Sequence, residues 1–265
     1  MTRKRFTAVF LVVIASFFAP LTPVLAQRIF IVGDSTASAY GPEAYPRMGW
    51  GQVLGDFYGK DVKVVDLARS GRSARSFISE GFFADLETRL GMDDILLIQF
   101  GHNDQKAHSP ERYAPADTAF KDYLGKYLSL ANKKGAQAVL LTSVVRRKFE
   151  NGKLVPTHGK YPAATRDLAI ESDVPLIDMT SLSGGLVAGL GEQESKDLYL
   201  HLTVEGKTVK DNTHFSERGA YAMAALVARE LGRLQLVPHT VVTPVFIHVE
   251  SDGSGDFANI QGAVD

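Results

Sequence analysis

The chain has 265 residues, 45% hydrophobic and 22% charged, with a formal net charge of −1 and no cysteine. This is ordinary globular composition, long enough for one substantial core. The absence of a basic stripe argues against a nucleic-acid partner; the absence of thiols excludes disulfides and a zinc–thiolate site.

In chain order, Met1 to Ala26 reads as a secretory signal. Arg3, Lys4 and Arg5 form a positive start, Ala8 to Pro20 an apolar core too short for a comfortable membrane span, and Val24-Leu25-Ala26 small residues before a cut. Removing the segment takes the formal charge from −1 to −4. The expectation is an exported protein, periplasmic or secreted, with no stable membrane insertion after cleavage. A retained anchor is the competing reading.

Strand-like runs follow at 28–33, 62–67, 94–100, 137–145 and 174–179. Between and after them lie helical patterns at Trp50 to Tyr58, Asp117 to Lys134, Pro162 to Ser172, Ser181 to Leu190 and Glu217 to Leu236. The last carries an apolar stripe of Ala220, Met223, Ala224, Val227 and Leu231. Alternating strand and helix predicts an α/β fold: a three-layer αβα sandwich on a five-stranded parallel sheet, flavodoxin-like in arrangement. Arg146-Arg147-Lys148 reads as a solvated turn, Trp50 as a core residue, and Ser216 as the cap of the final helix.

Four short segments carry the chemistry. Gly33-Asp34-Ser35-Thr36 ends the first strand and places a hydroxyl at its carboxyl end, where open α/β sheets bind ligands; alone it also fits a helix N-cap. Asp211-Asn212-Thr213-His214 offers an imidazole base with a carboxylate to orient it; alone it also fits a surface loop. Gln99-Phe100-Gly101-His102-Asn103-Asp104 follows the third strand, and the Asn103 amide can donate to a developing oxyanion. Ala68-Arg69-Ser70-Gly71-Arg72-Ser73 follows the second, and Gly71 can turn its backbone N–H to the same place. Each of the last two also fits an ordinary turn. No His/carboxylate spacing suggests a metal, and no cofactor is expected. There is no Gly-x-Ser-x-Gly elbow, although the order Ser, Asp, His is that of α/β-hydrolases.

Taken together, Ser35, Gly71, Asn103 and His214, with Asp211, resemble the defining set of the SGNH, or GDSL, hydrolases over roughly residues 28–236. Within that family, Gly33-Asp34-Ser35-Thr36, Gly49-Trp50-Gly51-Gln52, Ala68 to Ser73 and Phe100 to Asp104 are similar to rhamnogalacturonan acetylesterases. Thr36 departs from the Leu of the broader pattern and agrees with this group. The resemblance implies a serine esterase acting on acetylated pectic polysaccharide. Ser35, Asp211 and His214 would be catalytic, and Ser35 N–H, Gly71 N–H and Asn103 would form the oxyanion hole. Asp34 would brace the loop. Because rhamnogalacturonan is acidic, Arg69, Arg72 and Arg75 are candidate substrate contacts, as is His102 at the rim, against salt bridges, capping or a structural role. Acetylated xylan, another O-acetyl glycan or a short-chain lipid ester is the rival substrate, and a non-catalytic carbohydrate-binding protein the rival class.

After the esterase segment, taken as 27–236, residues 237–244 read as a linker with Pro238 and Pro244. Residues 245–265, with Asp252-Gly253-Ser254-Gly255-Asp256-Phe257 and Ile260-Gln261, resemble the opening of a pectin methylesterase. This implies a covalently linked second domain of that type, truncated here and unable to close a β-helix core alone; chance similarity of a dangling tail is the other reading.

Overall fold

In the computed structural model, residues 27–204 and 207–237 are described. The expected signal segment, nearly all of the expected linker and the pectin methylesterase-like tail lie outside them. Val237 is described and buried in the core, so the folded unit reaches one residue into the expected linker.

Strand β1 (Gln27–Gly33) has side chains buried on both faces. Ile29 and Ile31 point to one side and Phe30 and Val32 to the other, the period-two consequence of a strand covered twice. It pairs in parallel with β2 (Val62–Asp66) and β3 (Ile95–Gln99), β3 pairs with β4 (Gln137–Leu141), and β4 pairs with a two-residue β7 (Leu176–Ile177). The order β2-β1-β3-β4-β7 is the doubly wound arrangement expected. The order in which strands are added reverses between β1 and β3, and ligands bind at the carboxyl ends of the strands there. Arg28 and Asp94 join the opposite ends of those strands, with Nε–Oδ1 at 2.8 Å and Nη2–Oδ2 at 2.6 Å.

One face of the sheet packs against α1 (Trp50–Val53), α6 (Met179–Glu194) and α7 (Glu217–Arg233). The other packs against α2 (Ala74–Ser79), α3 (Phe82–Arg89), α4 (Lys121–Lys134) and α5 (Tyr161–Glu171). Ala220, Met223, Ala224, Val227 and Leu231 of the α7 stripe are fully buried.

Several boundaries differ from the sequence reading. The helix expected over 50–58 is a single α-turn that tightens into a 3₁₀ turn at Leu54–Phe57. A π-helical turn, Ala116–Phe120, precedes α4. Strand β4 stops at Leu141 rather than 145, and α6 runs past Leu190, broken at Gly191. Helices α2 and α3 and two hairpins were not expected: β5 (Phe149–Glu150) with β6 (Lys153–Leu154), and β8 (Tyr199–Val204) with β9 (Lys207–Phe215).

Asp66, at the carboxyl end of β2, carries a pH-dependent cost. Its Oδ1 accepts the Ala68 N–H at 2.8 Å, while its enclosed Oδ2 has no hydrogen-bond partner among the described residues. Burial pushes this carboxyl up to about 7, against the opposing effect of nearby backbone N–H groups and Arg69. Because the folded value lies above the unfolded one of about 3.9, the fold holds the proton more tightly. The group therefore favours folding fully below about pH 4, and that contribution is lost as pH rises through about 7. Asp66→Asn is expected to be more resistant to urea than the parent at about pH 9 and close to it at about pH 4; unfolding curves at the two pH values check this.

Candidate active site

Ser35 is the second residue after β1 and is 8% exposed. Its turn is held from below. Asp34, fully buried, accepts from the Thr36 N–H at 2.9 Å and the Thr36 hydroxyl at 2.8 Å. Gln99 Nε2 donates to the Thr36 hydroxyl at 2.8 Å, and Trp50 Nε1 donates to Gln99 Oε1 at 3.0 Å. Thr36 thus relays between two buried polar groups, which the Leu of the broader pattern cannot do. Trp50 lies in the core, as read from the sequence, but with its indole N–H inside this network. Above, the Tyr40 hydroxyl donates to the Ser35 carbonyl at 2.7 Å.

The other half of the site comes from the unexpected hairpin. In the β8–β9 ladder Leu200 pairs with Asp211 and Tyr199 with Phe215, so Asn212, Thr213 and His214 have no partners on β8. They form a bulge, a device that re-aims a strand's side chains. Asp211 Oδ1 accepts the Thr213 and His214 N–H groups at 2.8 and 3.0 Å, which closes the bulge. Beyond it the Phe215 carbonyl accepts from the Met48 N–H, and Ser216 caps α7, its hydroxyl accepting from the Gly219 N–H at 3.2 Å.

This geometry brings together residues 179 positions apart. His214 Nε2 is 2.9 Å from Ser35 Oγ, and His214 Nδ1 is 2.6 Å from Asp211 Oδ2. Burial opposes ionisation of Asp211, but hydrogen bonds from the imidazole and the two N–H groups outweigh it and hold the carboxyl well below the usual carboxylate range. An ionised Asp211 is an acceptor only, so Nδ1 carries the proton and Nε2 presents its lone pair to the Ser35 hydroxyl.

The two candidate oxyanion segments are tied to each other and to the Ser35 turn. Arg69 N–H donates to the Gly33 carbonyl at 3.0 Å, and Asn103 Nδ2 to the Arg72 carbonyl at 2.9 Å. Asp104, fully buried, accepts from the Ala74 N–H through Oδ1 and the Gly101 N–H through Oδ2, each at 2.9 Å. Gly71 has a φ of +79°, a left-handed backbone that glycine adopts without strain. At Gly101 a Cβ would come within 2.4 Å of Ser143 Oγ. Among the described residues neither the Ser35 nor the Gly71 N–H donates to a protein oxygen. Asn103 uses one of its two amide hydrogens on Arg72. Three donors therefore stay open for a developing negative charge.

The remaining candidates fare differently. His102 is not at the rim: it is 2% exposed, with Nδ1 3.1 Å from Asp34 Oδ2 and its ring edge-on to His158 at 4.4 Å. The Asp34 carboxylate and the His158 ring hold it inward, out of reach of a polysaccharide. Arg72 pairs with Glu80 at 2.5 Å and donates to the Ser70 carbonyl, and Arg75 donates to the carbonyls of Pro110 and Tyr113. Of the three arginines, Arg69 is exposed and, among the described residues, makes no side-chain hydrogen bond or ion pair, its guanidinium lying 5.5 Å from the centre of the Phe82 ring.

Arg147 corrects the expectation of a solvated turn, since it is 5% exposed. Its backbone N–H donates to the Asn212 carbonyl at 2.8 Å. Its guanidinium donates to Ser195 Oγ, Asn212 Oδ1 and the Glu192 carbonyl. Nothing in the spacing of residues 146–148 announces this. The alternation of Tyr199, His201 and Thr203 with Leu200, Leu202 and Val204 was the available signal for the hairpin it serves. Arg147→Ala is expected to cost about 1–3 kcal/mol, because it strands the buried Ser195 hydroxyl and removes the donor that ties the Asn212 side chain and the Glu192 carbonyl together; urea unfolding of the purified variant measures it.

Comparison with known proteins follows the same lines. The model of the GDSL-like lipase/acylhydrolase family matches residues 31–209, which include Ser35, Gly71 and Asn103 and end just before Asp211. Rhamnogalacturonan acetylesterase RhgT of Bacillus subtilis (strain 168) is 40% identical over 215 residues, 79% of this chain and 91% of its own. The probable rhamnogalacturonan acetylesterase YesY of the same strain is 35% identical over 212 residues, 80% of this chain and 95% of its own. Among solved structures, the B. subtilis protein YxiM superposes with a TM-score of 0.69 at 28% identity, over 80% of this chain and 58% of that chain.

Proposed function

The chain belongs to the GDSL-like lipase/acylhydrolase family and is a carboxylic ester hydrolase, and from that premise we propose that it removes O-acetyl groups from pectic polysaccharide, rhamnogalacturonan in particular. The observation that carries the reading is the unbroken path from Ser35 Oγ through His214 to Asp211, beside three open N–H donors. The 40% identity to a rhamnogalacturonan acetylesterase supports the substrate.

In this reading Ser35 Oγ attacks the acetyl carbonyl while its proton passes to His214 Nε2. The oxyanion of the tetrahedral intermediate meets Ser35 N–H, Gly71 N–H and the second Asn103 amide hydrogen. Collapse breaks the bond to the sugar oxygen, which leaves with the proton from His214. Water then attacks the acetyl-enzyme, giving a proton to His214; Ser35 recovers its proton and acetate departs. Asp211 orients the imidazole and stabilises its charged form without taking the proton itself. Asp34 stays clear of the reaction, because both its oxygens are engaged with Thr36 and His102. Arg69 is the arginine left to meet a galacturonate carboxylate. The signal-like Met1 to Ala26 supports export, and the tail over 245–265 supports a linked pectin-directed domain.

The test is acetate release from acetylated rhamnogalacturonan, acetylated xylan and an aryl acetate. The pectic substrate is expected to be the best, Ser35→Ala to abolish release from all three, and Asn103→Ala to lower kcat about 10²–10³-fold. Cleavage of the aryl acetate alone would leave an esterase without the pectic assignment. Arg69→Gln is expected to raise KM for the acidic polysaccharide while leaving the neutral aryl acetate unchanged; an equal effect on both would remove Arg69 from substrate recognition.

A further inference from the structure

Asn103 can serve as an oxyanion donor only if its amide faces the right way. The two ends of an amide are nearly the same shape, and a half-turn about χ2 presents an oxygen where an N–H is needed. Two contacts oppose that half-turn. Nδ2 donates to the Arg72 carbonyl at 2.9 Å, and Oδ1 accepts from Lys106 Nζ at 2.8 Å. The turned amide would set oxygen against the Arg72 carbonyl and NH₂ against an ammonium. A tight turn from Asn103 to Lys106, closed by the Lys106 N–H on the Asn103 carbonyl at 3.1 Å, brings the lysine back over the amide.

The surroundings of Lys106 give it no other partner. Among the described residues its ammonium pairs with no carboxylate and donates to no acceptor but Asn103 Oδ1. It is half-buried, and burial together with the positive charges of Arg112 and Arg146 pushes its pKa down, against the opposite pull of Asp34. A cation is thus kept in an unfavourable place with one amide oxygen to bind. An ammonium on the oxygen also draws electron density from the amide and makes its N–H a stronger donor, an effect that grows as the site loses water.

We infer that Lys106 is a positioning residue for oxyanion stabilisation: it locks the Asn103 amide with an N–H toward the reacting carbonyl and strengthens that donor. This rests on the reading of Asn103 as an oxyanion donor. Lys106 itself touches neither substrate nor reacting atoms in this role, so its effect has to pass through Asn103.

A double-mutant cycle on a neutral aryl acetate tests it, since that substrate carries no charge for Lys106 to attract. Lys106→Met is expected to lower kcat roughly tenfold with KM within about twofold, and Lys106→Arg to restore most of the loss. In the Asn103→Ala background, Lys106→Met is expected to change kcat by less than about twofold, because the amide it acts on is gone. Unchanged kcat in Lys106→Met, or the same tenfold loss with and without Asn103, would overturn the inference while leaving Asn103 in its role. An Asn103→Ala enzyme with parental kcat would instead defeat the reading beneath it. If Lys106→Met does not fold, Lys106→Gln takes its place in both backgrounds. As a neutral side chain still able to donate, it is expected to lose less than tenfold and to lose nothing further once Asn103 is absent. A loss in the Gln variant that persists without Asn103 counts against the inference.

Discussion

The site depends on a bulge of three residues. Asn212, Thr213 and His214 give up their places in the β8–β9 ladder, and the imidazole reaches Ser35 only because they do. Leaving a ladder exposes backbone groups that must be satisfied elsewhere. Asp211 takes two of the freed N–H groups with the oxygen it does not use on the imidazole, and Arg147 covers the Asn212 carbonyl and side chain. One carboxylate therefore shapes the loop and orients the base at once. Its low pKa follows from the same donors, so the geometry that places His214 also fixes its tautomer.

Arg147 is an unusual way to hold that bulge. It is buried, among the described residues, without a carboxylate partner, and its charge is met by a hydroxyl, an amide oxygen and a carbonyl. Such a cation is stable only while every acceptor stays in place. The acceptors come from the end of α6, the 3₁₀ turn after it and the bulge itself. The arginine thus joins three segments that the sheet does not connect, and His201, 2.7 Å from the same Asn212 oxygen, adds a fourth attachment.

Most of the frame was legible in the chain. The central strands β1, β3 and β4 are covered on both faces, so they read as largely apolar runs, and the α7 stripe falls at helical spacing with every member buried. The motif residues were legible because Ser35, Gly71 and Asn103 each follow a strand pattern, and strand order then brings them to one end. What stayed hidden is what local pattern does not encode. Helix α2 begins with Ser73 and Ser76 capping each other, a weak signal beside the Glu or Gln of the usual box. β7 is two residues long, set by its pairing with Leu140 and Leu141 rather than by its own composition. The burial of Arg147 and His102 is a tertiary effect: both residue types read as surface until their partners, far away in sequence, are known.

His102 also shows why the nucleophile turn is rigid. Trp50, Gln99, Thr36, Asp34 and His102 form one buried chain of hydrogen bonds beneath Ser35, crossing from α1 through the end of β3 to the Asn103 loop. Burial would raise the Asp34 carboxyl, but the neighbouring imidazole and the Thr36 N–H and hydroxyl bring it below its ordinary value. Asp104 makes the matching link on the oxyanion side, between the Gly101 turn and the start of α2. Burial acts on Asp104 with less opposition and pushes its carboxyl up to about 8. The two aspartates are placed alike, each fully buried beside a reactive loop, and differ in what faces them: a polarisable imidazole and a hydroxyl for one, only backbone N–H groups for the other. A hydrolase of this kind needs its nucleophile and its oxyanion donors fixed relative to each other before substrate arrives. Here that fixing is done by carboxyl groups that take no part in the chemistry, which leaves Asp211 as the acid whose loop can be shaped around the base.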